Sequence, residues 1–75
     1  MSTYKIVLVP EPDGGFSVLV PALPGCYSQG EMREQAIEMA KEAIGLHIES
    51  MREQGEAIPQ GDIEIIDVQI APSAA

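Results

Sequence analysis

The chain predicts an α+β domain ordered β-β-β-α-β, one mainly antiparallel sheet packed by a single long helix. Three observations predict it. β-branched alternating segments near the amino terminus are separated by clusters of Gly and Pro. Alanines and isoleucines then recur three or four residues apart from Ala36 to Met51. Finally, Ile63, Ile65, Ile66, Val68 and Ile70 crowd a short segment after the helix.

Residues 3–9 alternate around Lys5 and carry β-branched Ile6, Val7 and Val9, which reads as a first strand. Pro10-Glu11-Pro12-Asp13-Gly14-Gly15 is dense in turn formers, and Asp-Gly followed by Gly favours a hairpin with positive φ. Phe16, Val18 and Val20 share one face of a second strand, opposite Ser17 and Leu19. Pro21 and Pro24 lack backbone donors, so residues 21–25 cannot be mid-strand and form a corner or an edge, and a short third strand is expected from Cys26 to Gln29.

Gly30 breaks the chain, and a helix is expected to begin near Glu31, with Glu31 and Glu34 suited to its positive end. Ala36, Ile37, Ala40, Ala43, Ile44, Ile48 and Met51 form its apolar side, and the small alanines allow close approach to the sheet. Gly55 stops the helix and Pro59 lies beyond it. The last strand shifts phase between Ile65 and Ile66, which implies a bulge or burial on both faces. The domain is expected over residues 1–71, with a frayed tail at 72–75.

Composition excludes several function classes. Seventy-five residues make one small domain, and a single cysteine leaves no internal disulfide and no Cys/His metal cluster. A core this small gains from oligomerisation or complex formation, so a homo-oligomer (dimer or tetramer) is expected. The net charge of −8 repels phosphate backbones and anionic membranes alike. The first apolar run, Ile6 to Val9, is too short for a signal peptide, and a cytoplasmic protein binding neither nucleic acid nor membrane is expected.

The charge is not spread evenly. Advancing about 100° per residue places Glu31, Glu34, Glu38, Glu42, Glu49, Glu53 and Glu56 within roughly 100° of arc. Only Lys41 and Arg52 lie near its edge, although surface helices ordinarily mix signs. Such a face is either simply solvated or matched to a cationic protein. Met32, Met39 and Leu46 border it, as rim packing or as an adaptable contact surface. The candidate partner-binding residues are therefore Glu34, Glu38, Glu42, Glu49, Glu53, Met39 and Leu46.

No catalytic, metal or cofactor site is expected. His47 falls among alanines and Met51, with no ligand partner at matched spacing on the helix. Cys26 reads as a small buried residue rather than a nucleophile. Glu11, Asp13, Asp62, Glu64 and Asp67 have no reason in the sequence to converge on a metal. Gly14-Gly15 is followed by neither a helix nor a lysine, so it is no phosphate loop.

The strings Tyr4 to Val9, Asp13-Gly14-Gly15-Phe16, Val20-Pro21-Ala22-Leu23-Pro24-Gly25-Cys26, Ser28-Gln29-Gly30, Glu34-Gln35-Ala36-Ile37 and Glu42-Ala43-Ile44, with Ile58-Pro59, together resemble the HicB-like antitoxin family over about residues 3–60. The resemblance implies a partly degraded ribonuclease H-like fold without the nuclease carboxylates. It also implies an antitoxin role, the occlusion of a small basic HicA-like mRNA interferase toxin of a type II toxin-antitoxin system. Many members continue into an operator-binding module, which is not expected here because the sequence ends at Ala75. Gly30-Glu31-Met32 departs from the usual helix cap of the family. Two rival functions remain at this point: an orphan HicB-like homo-oligomer with no toxin partner, and a metal-dependent ribonuclease H-like nuclease.

Overall fold

The computed structural model describes residues 2–72. Strands β1 (Val7–Pro10), β2 (Phe16–Leu19) and β3 (Tyr27–Gly30) form an antiparallel sheet in the order β1-β2-β3, and the helix α1 (Arg33–Glu53) follows. The observed order is β-β-β-α, an α+β arrangement. Register is set by the two turns. Pro10 pairs with Phe16 across the first, where Gly14 and Gly15 hold φ of 98° and 81° and the Glu11 amide donates to the Gly15 carbonyl at 3.0 Å. The second is the Pro21–Cys26 corner. There the Leu23 amide donates to the Val20 carbonyl and the Cys26 amide to the Leu23 carbonyl, each at 3.0 Å, and the Val20 amide donates to Cys26 at 3.2 Å.

Alternation along the strands sorts their faces. Phe16, Val18 and Val20 point toward the helix with Ile6 and Leu8, whereas Val7, Val9, Leu19 and Tyr27 lie on the opposite face. Val18 packs with Ala36 and Ala40, whose short side chains let the rod settle on the sheet. A second cluster, Val20, Leu23 and Cys26, receives Tyr4, Ala43, Ile44, Ile48 and Met51. Ile6 touches both clusters.

The helix ends follow backbone rules more than side-chain caps. Met32 occupies the N-cap and makes no side-chain cap bond; instead the Gln35 side-chain oxygen accepts from the Glu31 amide at 2.7 Å. At the other end Gly55 takes φ of 70°, its amide donates to Arg52 at 3.1 Å, and the Glu56 amide donates to Met51 at 2.9 Å. That pair of bonds is a Schellman ending. The helix therefore starts at Arg33, two residues later than expected, and Glu31 and Glu56 lie outside it.

Two strand boundaries also differ from expectation. The first strand begins at Val7 rather than residue 3, and the third runs from Tyr27 to Gly30 rather than from Cys26 to Gln29. Ladder partners fix these limits: Val7 pairs with Leu19, which pairs in turn with Tyr27. The expected final strand over residues 63–70 joins no sheet within the single chain. After Pro59, whose carbonyl accepts from the Tyr4 hydroxyl at 2.7 Å, the chain passes Gly61 against Thr3 and Tyr4 and then leaves the sheet. Its β-branched residues favour extension, but extension without a neighbour makes no strand. Of the expected tail, residues 73–75 lie outside the described residues.

Candidate protein-binding surface

The amphipathic character of α1 turns directly into a charged surface. Its buried residues, Ala36 and Ala40, face the sheet, and Glu34, Glu38, Glu42, Glu49 and Glu53 are all exposed. By helical geometry these five span about 100° of arc, with their centre nearly opposite the packed side. The expectation of seven glutamates on one rod thus resolves to five on α1, with Glu31 before its cap and Glu56 after its end. Among the described residues, only Glu38 is held in an ion pair, with Lys41 Nζ 3.1 Å from its Oε1. Both partners are largely exposed, so the pair is worth about 0.5 kcal/mol or less. The other four carboxylates face solvent without such a neighbour, and like charges at i, i+4 repel by about 0.3 kcal/mol.

Met39 and Leu46 are 40% and 61% exposed. With exposed Met32 they repeat at seven-residue spacing, so they form an apolar stripe along the border of the acidic face. All seven predicted candidates therefore share one side of α1 or its margin.

One neighbouring feature escaped the sequence. An open cleft of about 830 Å³ lies between the β1–β2 turn, the end of β3 and the start of α1, lined in part by Glu11, Asp13, Glu31, Gln35 and Met39. The Ser17 hydroxyl donates to Glu11 within it. Its acidic rim brings turn carboxylates to the amino-terminal end of the same surface. The only sequence signal was the density of acids in the turn, and nothing local says that this turn meets the helix start.

The remaining candidates take structural places. Cys26 is buried, and desolvation pushes its thiol above the usual value of 9.0, which disfavours the nucleophilic thiolate. His47 is half-buried on α1. Among the described residues no three of His, Cys, Asp and Glu gather as a metal site, and no helix is long and apolar enough to cross a membrane.

Comparison with known proteins agrees with this architecture. The profile described as "HicB_like antitoxin of bacterial toxin-antitoxin system" matches residues 4–73. The UPF0150 protein Ta0767 of Thermoplasma acidophilum is 42% identical over 65 residues, covering 87% of this chain and 94% of that protein. Antitoxin HicB 1 of Photorhabdus laumondii is 39% identical over 56 residues, covering 75% of this chain but 36% of its own length. Antitoxin HicB of Escherichia coli K12 is 36% identical over 56 residues, covering 75% and 41% respectively. The chain thus spans well under half of these named antitoxins. A solved chain of a "HicA3 and HicB3 toxin-antitoxin complex" superposes with a TM-score of 0.65 at 24% identity, covering 76% of this chain and 66% of that one, which establishes likeness of fold. With a matched profile spanning nearly every residue, the chain belongs to the HicB-like antitoxin family.

Proposed function

We propose that the protein neutralises a small basic HicA-like mRNA interferase toxin by covering it with the acidic face of α1. The observation that carries the reading is five exposed carboxylates along one 21-residue helix, of which a single one is countered by the protein's own lysine. Glu34, Glu38, Glu42, Glu49 and Glu53 stand where RNA phosphates would otherwise meet the toxin's lysines and arginines. Met39 and Leu46 supply desolvated anchors beside them. Opposite charge also accelerates encounter, which suits an inhibitor that must capture its target before mRNA does.

Membership of an antitoxin family and the complex described for the fold relative support a HicA-like partner. In this reading the chain performs no chemistry, and it acts in the cytoplasm, where mRNA and toxin meet. Direct nucleic-acid contact by this domain is disfavoured by its net charge of −8.

The test is co-expression of the chain with the HicA-like toxin of its own genome, together with an RNA-cleavage assay on the purified pair. Restored growth and loss of cleavage at equimolar chain are expected. Continued cleavage with the chain in excess would refute toxin neutralisation.

A further inference from the structure

The segment after Gly61 has the composition of a strand and joins no sheet. Ile65, Ile66, Val68 and Ile70 are between 55% and 76% exposed. So many aliphatic side chains in one extended stretch are an unusual burden for a soluble surface. β1 is an edge strand, paired with β2 alone. Edges left open in this way are templates for strand addition.

Three observations connect the segment to that edge. First, the chain leaves the domain beside it: the Tyr4 hydroxyl donates to the Pro59 carbonyl at 2.7 Å, and Gly61 lies so close to Thr3 and Tyr4 that a side chain there would strike the Thr3 carbonyl. Second, the sheet face turned away from α1 carries Val9, Leu19 and Tyr27, exposed by 41%, 39% and 66%, so it too lacks a cover. Third, the apolar residues of the segment occur in both phases, Ile63 and Ile65 on one face and Ile66, Val68 and Ile70 on the other. Folded back on its own β1, the segment would bury one phase against the helix side and leave the other wet. Added to the β1 of another molecule whose outer sheet face packs on the first, it buries both.

We infer that two copies of the chain exchange residues 62–70, each segment adding as a strand to the β1 edge of the other copy. The exit point adjoins the edge to be filled, so a two-fold axis near Gly61 makes the exchange reciprocal and closed. Charge agrees. Lys5 alternates with Tyr4 and Ile6, so it lies on the outer face with Val7 and Val9, and it is the one cation of the sheet region, since Arg33, Lys41 and Arg52 belong to α1. The incoming segment brings Asp62, Glu64 and Asp67 to it. The exchange leaves the acidic face of α1 uncovered.

The test uses the full chain and no toxin. Two Cys26→Ala proteins are prepared, one carrying Lys5→Cys and the other Asp67→Cys, both at exposed positions. They are unfolded together, refolded as a mixture and treated with a short bis-maleimide linker. A crosslink joining the two different chains, with light scattering giving twice the chain mass for the unsubstituted protein, is expected. The double substitution Ile66→Asp, Val68→Asp should halve that mass while helical circular dichroism is retained. A third protein carrying both cysteines in one chain reads the rival arrangement: linkage confined within single chains would mean fold-back and overturn the exchange. A monomeric unsubstituted protein at micromolar concentration would overturn it too, leaving the toxin as the segment's cover.

Discussion

Gly30 lies so close to Ala36 that a β-carbon at Gly30 would fall 2.5 Å from the Ala36 nitrogen and 2.7 Å from its α-carbon. The last residue of β3 thus touches the backbone of the first fully buried residue of α1. This closeness aims the helix along the sheet, and with it the acidic face outward. Gly30→Ala must push backbone against backbone, which flexible side chains cannot relieve. A loss of about 3 kcal/mol is expected, the upper part of the usual overpacking range. In a domain this small that shifts the urea midpoint sharply or unfolds the protein, as circular dichroism will read.

The Tyr4 hydroxyl clips the end of the chain to the sheet through the Pro59 carbonyl. Tyr4→Phe removes the donor and leaves the ring in place, so about 1 kcal/mol of stability should be lost. Hydrogen exchange is expected to quicken first at residues 60–62, while the amides of α1 retain their protection.

Burial raises the Cys26 thiol above its ordinary value of 9.0. The folded protein therefore holds this proton more tightly than the unfolded chain. Its contribution is complete below the unfolded value and is lost as pH climbs from there through the folded one. Alkaline titration of stability should fall less steeply in Cys26→Ala than in the unsubstituted protein above about pH 9. The same burial predicts slow modification by a thiol reagent under native conditions and rapid modification in denaturant.

Local chemistry made much of this fold readable in the sequence. Asp13-Gly14-Gly15 specified the first turn because its positive φ values suit glycine, and the spacing of Ala36, Ala40, Ala43 and Ile48 specified which side of α1 would be packed. The five helical glutamates follow from the same periodicity. Glu31 and Glu56 were swept into that arc because a helical wheel has no ends, whereas the real helix is stopped by the Met32 cap and the Gly55 ending. The cleft beside Glu11, Asp13 and Glu31 joins segments about twenty residues apart, and only tertiary packing brings them together. Ile63 to Ile70 carried a genuine strand composition, yet pairing is a property of two strands, and after Gly61 the segment lies alongside none of β1, β2 and β3.

The five-carboxylate face makes a direct kinetic demand on any basic partner. The association rate of the HicA-like toxin should be measured across a range of salt for the unsubstituted chain and for the variant Glu34→Gln, Glu38→Gln, Glu42→Gln, Glu49→Gln, Glu53→Gln, whose fold is checked by circular dichroism. For the unsubstituted chain the rate is predicted to drop steeply as salt rises; for the variant it should be about tenfold slower or more at low salt and nearly flat. Equal rates and equal salt slopes for the two proteins would contradict docking through this face of α1.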